Sequence, residues 1–154
     1  MIDTPEIIQT VARHAAIIHL TIPRAQIREQ MGPGIGEVMA AAKAQGLGPS
    51  GPWFTHHLSM APATFDFEIS VPVTAPITPT GRVVPGQWAA MRVARAVYRG
   101  PYEGLAAAWP ELNAWIEANG LVARSDYYES YVAGPESSPD PAQWRTELSR
   151  PLVD

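Results

Sequence analysis

The feature that most constrains this chain is a strand-like phrase that occurs twice. FDFEISVPV spans residues 65–73 and WRTELSRPL spans residues 144–152, and both place one Glu between an aromatic residue and a Ser-x-Pro ending. Two shorter matches accompany the phrase in the same order, HAAI with WAAM and QGL with NGL. Ordered matches on corresponding segments predict an internal duplication.

The segments around these matches predict the order strand, helix, strand, strand in both copies. The first copy has a strand over 14–23, a helix over 34–46, and strands over 51–60 and 64–73 that meet in a turn at Pro62. The second has a strand over 87–100, a helix over 101–120, and strands over 126–134 and 144–152. The sequence thus predicts one α+β domain of two βαββ repeats, about 14–74 and 87–152, in pseudo-twofold symmetry. Its helices should cover one face of an antiparallel sheet and leave a ligand groove on the other.

Composition limits the possible partners. The net charge is −4 and the Lys and Arg residues are scattered, which argues against direct nucleic-acid binding. The absence of cysteine excludes disulfides and thiol chemistry. No segment resembles a secretory signal or reaches membrane-spanning length, so we expect a cytoplasmic protein that does not bind membranes.

No metal and no other cofactor is predicted. His56 and His57 are adjacent and point to opposite faces of a strand, and His14 and His19 diverge in the same way. The glycine-rich segment GPGIGE, residues 32–37, lacks the Gly-Lys-Ser/Thr of a nucleotide-binding loop. It is better explained by turn glycines at the start of a helix.

Strand alternation predicts where the two repeated glutamates point. Successive strand residues face opposite sides of a sheet. The residues that face the opposite way from the two glutamates are mostly apolar and should lie under the helices. They are Phe65, Phe67 and Ile69 around Glu68, and Trp144, Thr146 and Leu148 around Glu147. Glu68 and Glu147 are therefore predicted to face the helix-free side, where the groove is expected.

The strands that precede these two are harder to orient. Tyr127, Glu129 and Tyr131 alternate on one face of the strand over 126–134, and the aligned positions in the first copy are Trp53, Thr55 and His57. Tyr128 and Phe54, which point the other way, are equally bulky, so which set of side chains faces the groove stays open. We expect the polar and aromatic set to face it. The groove would then suit planar or cationic organic molecules, since aromatic faces attract cations and a carboxylate pairs with them.

Four segments together resemble the GyrI-like small-molecule-binding domains, which also form the effector-binding part of multidrug-sensing transcription regulators. They are YRGPYEGL, WIEANGL, YESYVAGPE and WRTELSRPL. The resemblance implies a curved sheet with a ligand groove, and a carboxylate at Glu147 that engages cationic or polar ligands. Glu129 and Tyr131 match the E-x-Y positions of the family before Pro135. No helix-turn-helix segment precedes residue 14, so a free-standing domain is expected.

The resemblance leaves several functions open. A binding module would use Glu147 to select cations. A hydrolase of reactive, cyclopropane-bearing molecules would use Glu147, helped by Glu129, to activate water while Tyr131 donates to the leaving oxygen. A protein-interaction domain would have an exposed apolar patch instead.

Each candidate residue also has a purely structural interpretation. Glu147 and Glu68 could be solvated strand residues, and Glu129 could pair with an arginine. Tyr127, Tyr131 and Trp53 could be core residues.

Overall fold

The computed structural model describes residues 2–58, 63–135 and 137–153, so the turn predicted at Pro62 lies outside the described residues. The chain forms two compact units. The N-terminal unit is Val11–Ala90, and the C-terminal unit joins Met1–Thr10 to Met91–Asp154. No helix in the described parts of the chain is long and apolar enough to cross a lipid bilayer.

The described residues form eight strands and two α-helices. In chain order they are β1 (Glu6–Gln9), β2 (Arg13–Pro23), α1 (Ile27–Ala44), β3 (Phe54–His57), β4 (Thr64–Val73), β5 (Val84–Trp88), β6 (Arg92–Arg99), α2 (Leu105–Ala118), β7 (Tyr127–Ala133) and β8 (Arg145–Pro151). A 3-10 turn precedes each helix, at Arg24–Gln26 and at Tyr102–Gly104.

Each unit contains one βαββ repeat and one extra strand. The N-terminal unit orders its strands β3-β4-β2-β5, and the C-terminal unit orders them β1-β6-β8-β7, with antiparallel pairing throughout. The predicted α+β class with two repeats is confirmed. The strand predicted from residue 87 is divided, because Trp88 ends β5 and β6 begins at Arg92.

Each helix packs on one face of the sheet in its own unit. In the C-terminal unit, Trp109 and Leu112 of α2 share a core with Ala96 and Tyr98 of β6 and Leu148 of β8. The N-terminal core is built in the same way from α1, β2 and β4. The apolar positions alternate along the strands as predicted, so the opposite face holds Glu68 and Glu147.

The glycine-rich segment lies inside α1 and not at its start, which corrects the prediction. Gly34 sits where α1 meets β4, and a β-carbon there would collide with Cδ1 of Ile69, which is fully buried. Glycine at this position therefore lets the helix approach the sheet closely. Gly36 has nothing within 4 Å of an added β-carbon.

Alanine substitutions should separate these two glycines. Gly36→Ala should raise the free energy of unfolding by about 0.5–1 kcal/mol, because alanine loses less backbone entropy in a helix. Gly34→Ala should lower it, because overpacking a core costs about 1–3 kcal/mol and exceeds that gain. Urea unfolding measures both. Equal stabilisation by the two variants would contradict a close contact between α1 and β4.

Candidate functional site

Glu129 lies in the middle of β7 and points toward α2. Its backbone position pairs with Leu148 of β8, which is fully buried in the core beneath α2. Paired residues on neighbouring strands point to the same face of a sheet. The Glu129 side chain is therefore held between the C-terminal sheet and its helix, with only 9% of the residue exposed.

Two donors satisfy the Glu129 carboxylate. The indole Nε1 of Trp109 donates to Oε2 at 2.7 Å, and the hydroxyl of Tyr131 donates to Oε1 at 2.7 Å. Trp109 comes from α2 and Tyr131 lies two residues along β7, so helix and strand each supply one donor. Short hydrogen bonds to a carboxylate are among the stronger ones in proteins.

Burial changes the protonation of this group. Removal from water raises the pKa of Glu129 above its usual value, and the hydrogen bonds from Trp109 and Tyr131 act in the opposite sense. Desolvation is the larger effect, because removing a charged carboxylate from water is costly. The site therefore holds an acidic group whose pKa is raised by its burial.

Five aromatic side chains are connected to the carboxylate through its two donors and their ring contacts, and we call them the aromatic cluster. They are Tyr102, Trp109, Tyr127, Tyr131 and Trp144. Trp109 meets Tyr127 edge-on with ring centroids 4.6 Å apart, and Tyr102 lies 5.9 Å from Tyr131 and 5.0 Å from Trp144. Tyr102 and Trp144 are half-buried, so the cluster extends from the buried carboxylate toward solvent.

Thr146 adds a polar group beside the cluster. It pairs with Tyr131 across β7 and β8 and is fully buried. Its hydroxyl has no hydrogen-bond partner among the described residues. A buried hydroxyl left unpaired costs free energy, which a bound molecule could recover.

Glu147 occupies the other face of the same sheet. It pairs with Val97 and Ser130, and its Oε1 lies 3.5 Å from Nε of Arg95. Its side chain is 27% exposed. The prediction that Glu129 and its neighbouring tyrosines share a face with Glu147 is wrong, because α2 supplies Trp109 as the partner that keeps Glu129 on the helix side.

The other predicted residues lie in the N-terminal unit. Glu68 faces away from α1 and pairs with Nδ1 of His56 at 3.1 Å. Trp53 is half-buried against the core of this unit. His57 is buried, contacts the Thr55 hydroxyl through Nε2 at 3.1 Å, and stacks on Phe67 with centroids 5.3 Å apart.

Sequence reasoning identified part of the C-terminal site and missed the rest. It named Glu129, Tyr127 and Tyr131, which the structure brings together. It did not assign Trp109 to the site, although a buried indole N–H needs an acceptor and thus signals a polar neighbour. In the described parts of the chain, no three His, Asp or Glu residues are grouped as a metal site would require.

Comparison with known proteins identifies the architecture. The model of the GyrI-like small molecule binding domain matches residues 3–153. The C-terminal domain of EcmrR aligns with a TM-score of 0.84 at 23% identity, covering 98% of this chain and 98% of that one. In the EcmrR–DNA complex the TM-score is 0.82 at 20% identity over 98% of this chain, which spans only 57% of the EcmrR chain.

Two more distant structures share the fold. SAV2435 bound to tetraphenylphosphonium has a TM-score of 0.64 at 12% identity, covering 98% of this chain and 94% of that one. A hydrolase from Listeria innocua has a TM-score of 0.65 at 14% identity, covering 97% and 91%. None of the curated proteins matches the sequence.

Acid should destabilise the fold through His57. Burial lowers the pKa of His57 from 6.5 to about 4, and the charges of His56 and Arg24 add to this effect. Between these values the unfolded chain binds the proton more readily, so stability is lost as the pH falls. Going from pH 7 to pH 5 should cost about 2 kcal/mol through this group.

Urea unfolding at both pH values tests this expectation. His57→Gln should remove most of the loss, because glutamine does not titrate but can still bond to Thr55. His14→Gln, at an exposed position, should leave the loss in place. An unchanged pH dependence in His57→Gln would show that other groups cause it.

Proposed function

The chain belongs to the GyrI-like small molecule binding domains, and on that premise we propose that it binds planar or lipophilic organic cations through Glu129 and the aromatic cluster. The observation that carries this proposal is the buried carboxylate between Trp109 and Tyr131. The earlier expectation assigned the main binding role to Glu147. The geometry favours Glu129, because Glu147 already has Arg95 within 3.5 Å and is partly solvated.

A bound cation would relieve the cost of burying Glu129. An ionised carboxylate is costly in a low-dielectric site, and an adjacent cation lowers that cost. A cation beside the carboxylate adds this attraction and can leave the hydrogen bonds from Trp109 and Tyr131 in place. Cation selectivity then follows from the site itself, since a neutral ligand of the same shape gains no such attraction.

The aromatic cluster provides the second part of the recognition. The faces of Trp and Tyr rings attract cations, and the effect grows when the cation is removed from water. Tyr102 and Trp144 are half-buried and would meet a ligand first, and Tyr131 leads from them to the carboxylate. The free hydroxyl of Thr146 suits a ligand that carries a hydrogen-bonding group near its charge.

Tetraphenylphosphonium is a suitable probe for this proposal. It is a lipophilic aromatic cation, and SAV2435, which shares the fold, is bound to it. Its charge is shielded by phenyl groups, so a tight site must offer both aromatic contact and a negative group. The cluster around Glu129 offers both.

Hydrolysis is the second function to consider, because one structure with this fold is a hydrolase. A general base must accept a proton from water, and the hydrogen bonds that each oxygen of Glu129 accepts at 2.7 Å stabilise its ionised form and so oppose proton uptake. Glu147 and Tyr131, the catalytic pair predicted from the sequence, lie on opposite faces of the sheet. The arrangement therefore favours binding without turnover.

Neutralising Glu129 should abolish the preference for cations. In Glu129→Gln the amide oxygen can accept from Trp109 and the amide nitrogen can donate to Tyr131, so the fold is kept. Removing one partner of a buried charge pair costs about 2 kcal/mol or more, so the dissociation constant for tetraphenylphosphonium should rise about 30-fold or more. Quenching of tryptophan fluorescence or calorimetry measures it.

Glu147→Gln is the matched control, because it removes the same charge from the opposite face of the same sheet. Its affinity for tetraphenylphosphonium should stay within about threefold of the wild type, as expected for a partly exposed ion pair. Neutral triphenylphosphine oxide should bind the wild type and Glu129→Gln with similar affinity. If Glu147→Gln weakens cation binding and Glu129→Gln does not, the site has been assigned to the wrong carboxylate.

Binding of the cation should strengthen as the pH rises. Burial raises the pKa of Glu129, so the free protein takes up a proton there at a higher pH than at an exposed glutamate, and a cation is attracted to the ionised form. Affinity should therefore fall as the pH drops through this raised pKa, with a proton released on binding. Calorimetry in two buffers of different ionisation enthalpy measures the release, and Glu129→Gln should show none.

A further inference from the structure

The N-terminal unit contains a structural counterpart of the aromatic cluster with different chemistry. Pro23 and Pro101 end corresponding stretches of the two repeats, and each is followed by a three-residue 3-10 turn that leads into the helix. The first residue of the turn is Arg24 in the N-terminal unit and Tyr102 in the C-terminal unit. An arginine thus stands where the other unit has a tyrosine.

Both turn residues lie over an aromatic ring at the start of the last strand of their repeat. The guanidinium carbon of Arg24 is 4.2 Å from the centroid of the Phe65 ring, and the Tyr102 ring is 5.0 Å from that of Trp144. Phe65 and Trp144 are the first residues of the repeated phrase. The two contacts are therefore equivalent in position.

The polar pair on the neighbouring strand is also repeated. His57 and Thr55 are two residues apart on β3 and contact each other at 3.1 Å, as Tyr131 and Glu129 do at 2.7 Å on β7. His57 pairs with Phe67 and Tyr131 pairs with Thr146, and these partners hold the same place in the repeated phrase. The His57 ring lies 5.6 Å from that of Phe65.

The charged groups at these equivalent positions have opposite sign in the two units. The N-terminal unit has Thr55 in place of the Glu129 carboxylate, and it has the cationic Arg24 in place of Tyr102. No carboxylate among the described residues forms an ion pair with Arg24. The neighbouring Asp66 bonds instead to His19 and Thr21.

We propose that Arg24, Phe65 and His57 form a second ligand site in the N-terminal unit, which takes planar aromatic carboxylates. The exposed guanidinium of Arg24 can hold a carboxylate through two parallel hydrogen bonds. The half-buried ring of Phe65 lies under this guanidinium, so the two side chains together form a surface that an aromatic carboxylate can contact. The N-terminal and C-terminal units would thus bind ligands of opposite charge at equivalent positions.

The state of His57 agrees with this role. Because burial holds its pKa near 4, the imidazole is neutral at pH 7 and adds no second charge. Selectivity for an anion then depends on Arg24 alone. A substitution of Arg24 therefore tests anion binding at this site.

The test uses 2-naphthoate as the anionic probe with the whole chain at pH 7. The wild type should bind it saturably, and Arg24→Gln should weaken the binding about tenfold or more. Arg13→Gln is the matched control, because Arg13 also lies over an aromatic ring, 5.0 Å from the centroid of Trp88, in the same unit. Its affinity for 2-naphthoate should equal that of the wild type.

Absence of saturable binding, equal binding by wild type and Arg24→Gln, or equal loss in both arginine variants would each overturn the proposal. Circular dichroism spectra that match the wild type confirm that the variants are folded. The result is independent of the cation site, since Arg24→Gln should still bind tetraphenylphosphonium and Glu129→Gln should still bind 2-naphthoate. A failure of one site therefore leaves the other measurable.

Discussion

The burial of one carboxylate is the central polar interaction of the C-terminal unit. Glu129 lies beneath α2, where Trp109 and Tyr131 each donate a hydrogen bond to it at 2.7 Å. The indole of Trp109 has a single donor and no acceptor, so its hydrogen bond links the helix to β7 in one direction. Trp109 also belongs to the core in which Leu112 and Leu148 pack. The same helix residue therefore takes part in both the polar and the apolar contacts between α2 and the sheet.

The two repeats show how a duplicated scaffold can diverge in chemistry and keep its geometry. Both units share the strand pairing, the 3-10 turn before the helix and the contact between alternate residues on the second strand of the repeat. The side chains at those positions differ, with Thr55 for Glu129 and Arg24 for Tyr102. Backbone hydrogen bonds do not depend on side-chain identity, so such positions can change while the sheet persists.

The fold followed from the sequence more fully than the site did. Periodicity located β2, β4 and α2 closely, because long segments with one apolar face leave little ambiguity. The short edge strands β1 and β5 were not predicted, since EIIQ and VPGQW carry weak strand signals and the second contains Pro and Gly. The sequence did not show which side chains of β7 face the helix, because Tyr127 and Tyr128 are equally bulky. The hydrogen bond from the Trp109 indole of α2 to Glu129 shows that Glu129 and its alternate neighbours do.

The assignment of β1 to the C-terminal unit affects how the chain can fold during its synthesis. Ile8 pairs with Val93, so β1 cannot pair until all of the N-terminal unit has left the ribosome. The N-terminal unit uses none of the β1 residues and can form while they remain unpaired. Closing such a long stretch of chain is slow and entropically costly, which favours an already compact intervening unit that brings the two ends together. The C-terminal unit is therefore completed by a strand pair whose members are separated by the whole N-terminal unit.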